Sequence, residues 1–347
     1  MDLLRSDDVV VANDAATLPA SLRGVHERSG SVIEVRLAGR ISVASDATNR
    51  FVAIVFGTGD HRIRTEDRAP PPPLLEGDVL RLGPLSAIVE SLLDHPRLVA
   101  LRFTATTAAM WEGIAMHGRP IQYAHVGRAL ELWDVWTAIA GPPVAYETPS
   151  AGYALDWRTL TAMRSKGVTF TTLTHAAGIS STGDAALDAR LPFDEPYFVP
   201  ATTALTINRA RAAESRVIAI GTTVVRALEH AGHDGAVAAG AGVANQRIDT
   251  HHPLHIVDAI VSGTHEVGTS HYELLRAFVT DATLQRADAA LQAQSYRTHE
   301  FGDSVFIERD TSQRSGDNSL SLQQFVAPER YARQRAPAGV LSQLARK

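Results

Sequence analysis

A Gly-Thr-Thr triplet at residues 221–223 stands where an apolar run, RVIAI at 216–220, gives way to the helical pattern GTTVVRALEH at 221–230. A buried strand that turns directly into a helix at such a triplet presents unsatisfied backbone N–H groups and two hydroxyls to a ligand. The same residues also make an ordinary strand–turn–helix junction with Thr222 or Thr223 as N-cap. Arg226 follows one helical turn on, on the face of Thr222 and Thr223, with a guanidinium suited to bidentate contact or to pairing with Glu229. Three histidines at 251, 252 and 255 have a spacing that could serve a metal, but a loop of surface histidines leading into a strand is the simpler reading, and no metal is expected. The chain has no cysteine, which removes a thiolate zinc site, a disulfide framework and a cysteine nucleophile together. A P-loop, a dinucleotide-binding GxGxxG after a strand, an HExxH motif and a nucleophile elbow are also absent.

The elements that must position these residues fall into two patterns. Up to about residue 104 the chain reads as short strands: DVVVAN at 8–13, SVIEVRL at 31–37, FVAIVF at 51–56, DVLRL at 78–82 and LVALRFT at 98–104. Ile33, Val35 and Leu37 alternate with Glu34 and Arg36, the period-2 signature of a half-buried strand, and the set predicts a small barrel or sandwich with Pro70 to Pro73 in an exposed loop. From about Trp111 strands and helices alternate as in an α/β domain. Asp156 caps a helix that Gly167 stops, 168–174 and 216–220 are strands around a helix over 201–215, and strands over 254–261 and 304–308 flank helices over roughly 270–279 and 281–294. The fold class expected is therefore an α/β main domain, residues 1–21 and 105–310, with an inserted small all-β barrel-like domain, 22–104, and a polar C-terminal extension, 311–347. An acidic start and the lack of a long uncharged stretch argue against export and a membrane span and for a cytoplasmic protein. With 33 Lys and Arg against 38 Asp and Glu, any nucleic-acid contact needs a local basic patch.

The segment VIAIGTTVVRALE at 217–229 is very similar to a block of the S-adenosylmethionine:tRNA ribosyltransferase-isomerase family of queuosine biosynthesis, and other blocks follow in that family's order. NDAATLPASL at 13–22 resembles its Asn-Asp-Thr-Arg-Val…Pro-Ala-Arg-Leu, and SGSVIEVRL at 29–37 its Thr-Gly-Gly…Glu-Val-Leu-Leu. GRPIQYAHV at 118–126 resembles Pro-Leu-Pro-Pro-Tyr-Ile, ETPSAGYAL at 147–155 resembles Ala-Pro-Thr-Ala-Gly-Leu-His-Phe, and TLTHAAGISSTG at 172–183 resembles the Thr-Leu-His-Val-Gly loop. The stretches at 256–279 and 295–307 are similar to the family's Asn-Phe-His-Leu-Pro and Tyr-Gly-Asp-Ala-Met-Leu-Ile regions.

The resemblance implies transfer of the ribosyl part of S-adenosylmethionine, as cosubstrate, to the aminomethyl group of a 7-deazaguanine base in tRNA, with release of adenine and methionine and an epoxycyclopentanediol left behind. A sulfonium acidifies its neighbouring C5′ protons, and histidine suits their removal at neutral pH. His265 matches the family's His in Asn-Phe-His-Leu-Pro, and His175 lies within one position of that in Thr-Leu-His-Val-Gly; for His175 a structural role is an equal reading. Candidates for the ribose hydroxyls, adenine and sulfonium are Tyr123, Glu195, Gly221, Thr222, Thr223, Asp258 and Tyr296, with Asp258 alternatively a polar strand-end residue and Tyr296 a half-buried aromatic. Arg226 and Arg297 would bind the methionine carboxylate or an RNA phosphate, or pair with Glu229 and Asp303. Ala16, Ser21 and Ala154 stand where the family has Arg, Arg and His, and its N-terminal Asp-Leu-Pro and Arg-Asp-x-Ser-Arg-Leu elements find no counterpart, so a divergent member is expected. Transfer to a small-molecule acceptor without tRNA, and a catalytically silent RNA- or partner-binding homologue, remain the alternative expectations. The active site is expected where loops carrying Gly221, Gly263 and Gly302 converge.

Overall fold

The structure is a computed structural model that describes residues 2–40, 49–263, 265–296 and 302–309, together with the backbone of one further strand, Gln323–Phe325. In chain order the strands are β1 Val9–Asn13, β2 Ala16–Thr17, β3 Ser21–His26, β4 Val32–Gly39, β5 Arg50–Phe56, β6 Val79–Leu82, β7 Leu85–His95 and β8 Leu98–Phe103. They continue with β9 Pro143–Ala145, β10 Thr169–His175, β11 Glu195–Val199, β12 Val217–Ile220, β13 Gly240–Ala244, β14 Ala259–Gly263, β15 Ser304–Glu308 and β16 Gln323–Phe325.

The chain is a mixed α/β protein with one large sheet, ordered β13-β11-β10-β1-β12-β14-β15-β16, and a closed antiparallel barrel, β3-β4-β5-β8-β7-β6. In the large sheet β10, β1, β12 and β14 are parallel, and the flanking strands are antiparallel. Strands covered on both faces read as unbroken apolar runs, and VVVAN in β1 and VIAI in β12 are buried at every position. Alternate side chains feed two cores. Val9, Val11, Val217 and Ala219 pack beneath the helices Ala201–Ala212 and Thr222–Ala231, whereas Val10, Ala12, Ile218 and Ile220 pack against Leu155 and Met163 of the helix Trp157–Lys166 and its approach. That last helix begins and ends where the sequence places its caps: the Asp156 carboxylate accepts the Thr159 N–H at 2.6 Å, and Gly167 takes φ 87°.

Two local readings change. The strand expected over 254–261 is confined to Ala259–Gly263, because the buried Glu229 carboxylate accepts the N–H groups of His255, Ile256 and Val257 at 2.7, 3.0 and 2.8 Å and holds that stretch as a loop. In β4 the alternation is real, but neither face reaches water. Ile33, Val35 and Leu37 fill the barrel, while Glu34 and Arg36 on the opposite face are buried under the segment that carries Arg68.

The Glu34 carboxylate accepts from Arg36 Nε at 2.7 Å, from Arg68 Nη1 at 2.6 Å and from Ser21 Oγ at 2.9 Å, and both guanidiniums lie over the Phe56 ring, 4.7 and 5.2 Å from its centroid. Burial alone would raise the Glu34 carboxyl; the two guanidiniums outweigh it and hold it down at about 2. Among the described residues no helix is long and apolar enough to cross a membrane.

Removing the shared carboxylate leaves two buried guanidiniums without their counter-charge. Glu34→Gln is expected to lower unfolding free energy at pH 7 by about 3–5 kcal/mol in urea titrations. Since the folded carboxyl is depressed, its contribution is complete above the ordinary glutamate value and fades as pH falls toward 2, so the variant is expected to lose less stability than the wild type over that interval.

Candidate functional site

The carboxyl ends of β12 and β14, at Ile220 and Gly263, open onto a cavity of about 980 Å³ whose far wall is the barrel segment carrying Arg64, Thr65 and Glu66. In open α/β sheets this end of the parallel strands is where ligands bind, since loops rather than helices face the crevice there. Gly221, Gly263 and Gly302 all line the cavity, as expected from the sequence.

Gly221 links β12 to the helix Thr222–Ala231 with φ 93° and ψ 158°, a conformation that L side chains rarely adopt. Its N–H donates to the Val261 carbonyl at 2.8 Å, and a Cβ added there would stand 3.1 Å from the Ala151 Cβ. The helix begins without a side-chain cap, and Thr222, buried, and Thr223, half-buried, both line the wall. Its first turn thus brings a partial positive charge to the cavity.

Arg226, on the same helix, reaches the cavity but is occupied by the protein itself. Nη1 donates to the Glu195 carboxylate, and Nη2 donates to the carbonyls of Ala244, Phe193 and Gln246 at 2.8, 3.2 and 3.3 Å. Its ion-pair partner is Glu195 rather than Glu229, the partner in the alternative to ligand binding, because Glu229 is engaged with the 255–257 amides. Glu195 in turn accepts the Gly178 N–H at 2.5 Å; burial pushes its carboxyl up despite Arg226. His175 lies behind Glu195, fully buried, with Nε2 3.5 Å from Oε2, beyond a good hydrogen bond. Neither of its ring nitrogens has a hydrogen-bond partner, and burial, then the Arg226 charge, keeps the ring neutral.

A second carboxyl, Glu147, accepts the Tyr123 hydroxyl on one oxygen and the Ser180 N–H at 3.0 Å on the other, and burial raises it as well. The stretch 178–180 therefore offers one amide to each of the two acids. At the end of β14, the Ser262 hydroxyl and His265 Nε2 are 3.0 Å apart, and the His265 ring lies 4.7 Å from that of His271, centroid to centroid. Both imidazoles are pushed below the ordinary value, His265 by burial and then by His271, and His271 to about 4 by burial and then by Arg226.

The cavity thus gathers Tyr123, Glu195, Gly221, Thr222, Thr223, Arg226 and His265. Asp258 is not brought there. It sits at the opposite end of the parallel strands, accepting the Val217 N–H at 2.9 Å and Arg309 Nη2 at 3.0 Å, in the strand-end role that was its other reading. Tyr296 packs against the core beneath the helices and does not line the cavity, and Arg297 lies outside the described residues. His251 and His255 are exposed, and among the described residues no group of three or more His, Asp or Glu is placed to hold a metal. Sequence reading passed over Glu147, His271 and Ser262. Glu147 heads the 147–155 block and His271 follows the Gly268 turn by three residues, but only the tertiary fold turns them toward one space.

A cleft of this size at the carboxyl ends of parallel strands, with a glycine-opened helix start and buried proton-carrying groups, defines an α/β enzyme with a small-molecule site. The chain belongs to the queuosine biosynthesis protein family, whose sequence model matches residues 1–307. It is 30% identical over 311 residues to the S-adenosylmethionine:tRNA ribosyltransferase-isomerase of Thiobacillus denitrificans, covering 88% of this chain and 84% of the relative. The enzyme of the same name from Anaeromyxobacter dehalogenans is 28% identical over 318 residues, 89% of this chain and 86% of its own. The crystal structure of an S-adenosylmethionine tRNA ribosyltransferase from Thermotoga maritima aligns over 88% of this chain and 84% of that one, at 20% identity and a TM-score of 0.42.

Because His271 is depressed in the folded state, the unfolded chain takes up its proton first as pH falls, so stability drops from about pH 6.5 toward 4. His271→Asn is expected to flatten this slope by about 2 kcal/mol between pH 7 and 4.5, read from urea midpoints at the two pH values.

Proposed function

We propose that this enzyme transfers the ribosyl part of S-adenosylmethionine to the aminomethyl group of a 7-deazaguanine base in tRNA, isomerises it to the epoxycyclopentanediol of epoxyqueuosine, and releases adenine and methionine in the cytoplasm. The observation that carries this reading is the meeting of His265 with the Gly221-Thr222-Thr223 helix start across one cavity, in a chain whose relatives bear the name of that reaction. At about 980 Å³ the cavity is at the upper end of small-ligand clefts, large enough for a nucleoside sulfonium with an acceptor base beside it.

In this reading the helix-start amides and the Thr222 and Thr223 hydroxyls receive the methionine carboxylate, for which a helix N-terminus is a favourable neighbour. The Tyr123 ring offers an aromatic face to the sulfonium, and Glu147, held by Tyr123 and Ser180, faces the ribose hydroxyls. His265 removes a C5′ proton acidified by the sulfonium, a task that needs a neutral imidazole, and burial keeps it neutral. Arg226 and Glu195 act through the wall they hold together. The barrel, residues 22–104, is taken as a unit inserted into an α/β domain of 1–21 and 105–310, with 311–347 as an extension; its 64–66 segment then faces the mouth by which tRNA approaches.

The purified protein is expected to release adenine and methionine from S-adenosylmethionine only with tRNA carrying the aminomethyl-deazaguanine base, and mass analysis of that base should show the added ribosyl-derived mass. His265→Ala is expected to slow release by about 10²–10⁴-fold. Release without tRNA, with a small amine as acceptor, would replace the proposed acceptor; no release and no binding of S-adenosylmethionine would remove the reading altogether.

A further inference from the structure

We propose that His265 and His271 work as one proton-handling pair in which His271 is a positioning residue, its ring set against that of His265 so that a charge on one bears on the other, with His265 Nδ1 directed to the chemistry; this rests on the reaction proposed above. The pairing is built by a short stretch of backbone. β14 ends at Gly263, Gly268 turns with φ 86°, and Thr269 caps the helix Ser270–Leu275 by accepting the Tyr272 N–H on its hydroxyl at 3.2 Å. That return brings His271, on the first turn, back against His265 with ring centroids 4.7 Å apart and planes inclined by 49°.

The Ser262 hydroxyl engages His265 Nε2 at 3.0 Å, which leaves Nδ1 as the atom free for substrate. When Nε2–H donates to Ser262 Oγ, Nδ1 carries the lone pair and takes a proton; in the other tautomer Ser262 donates and Nδ1 is already protonated. Two imidazolium charges at this separation oppose one another, so the pair accepts its protons in two coupled steps. The charged groups around it are largely matched. Arg226, from the helix Thr222–Ala231, is bound to Glu195 of β11, and Glu273, on the pair's own helix, is bound to Arg276 at 2.6 Å. Arg247 and Asp249 after β13, Glu266 beside His265 and Asp303 before β15 also line the cavity, with Glu147 and Asp188 on the opposite wall and Arg64 and Glu66 on the barrel segment. A charge at position 271 therefore bears directly on the charge at 265.

The test is an imidazole nitrogen NMR titration of the full chain, wild type against His271→Asn and the volume-filling His271→Phe, with the pH profile of adenine release recorded in parallel. Loss of His271 is expected to move the His265 midpoint upward, toward an ordinary histidine, and to move the acid limb of kcat/KM upward with it, since His265 then becomes charged at higher pH. Ser262→Ala is expected to change the tautomer signature of His265 in the same spectra. An unchanged His265 titration in both position-271 variants overturns the pairing, as does a uniform fall in rate with an unmoved acid limb. If the NMR midpoints shift while no form of the protein releases adenine, the pair stands and the proposed reaction falls.

Discussion

Arg226 is 4% exposed, and its guanidinium is bound to the Glu195 carboxylate and to carbonyls from residues 193, 244 and 246. A guanidinium taken this far out of water stays only if its donors are satisfied, and satisfying them fixes two strand ends and the loops beside them. Through Glu195 the same charge reaches the Gly178 amide and so the 178–180 stretch, whose Ser180 amide steadies Glu147. The positive charge also disfavours protonation of His175 and His271. The same guanidinium thus shapes the wall and, after burial, adds to the depression of His175 and His271, and a substitution that kept the charge but not the planar fork, such as lysine, would satisfy only part of the arrangement.

The barrel is joined to this wall by apolar packing, with Tyr146, Ile179 and Leu187 in the barrel's own core, and by charge. Glu34 holds Arg36, the Arg36 guanidinium lies 5.5 Å from the Tyr123 ring centroid, and Tyr123 donates its hydroxyl to Glu147. Gly183 completes the junction from the other side. With φ 68° and room for no side chain, since a Cβ would fall 2.3 Å from the Thr65 carbonyl carbon, it lets the loop after β10 lie directly on the barrel backbone.

The central strands were legible because burial on both faces leaves an unbroken apolar run, and the barrel because its strands alternate. Gly221-Thr222-Thr223 was legible because a strand, a glycine and a helix start are all local features. Other residues depend on what arrives from far along the chain. Glu34 and Arg36 look like a solvated face until Arg68 folds over them, and Glu229 gives no sign in sequence that it will take the amides of residues 255–257. Asp258 carried the right chemistry, but polarity does not tell which end of a strand a residue will occupy. His271 and Glu147 come to line the cavity only through the turn at Gly268 and the loop at 178–180.

β1, the earliest strand, lies at the centre of the large sheet, paired with β10 from Thr169 onward and with β12 from Val217 onward. During synthesis it emerges long before either neighbour, while the barrel strands, which close on one another, are complete by Phe103. The ribosome thus delivers a closed barrel and, tethered ahead of it, a largely apolar ribbon whose sheet partners follow only from Thr169 and Val217. Its exposure in that interval is set by the order of the strands rather than by the stability of the finished molecule.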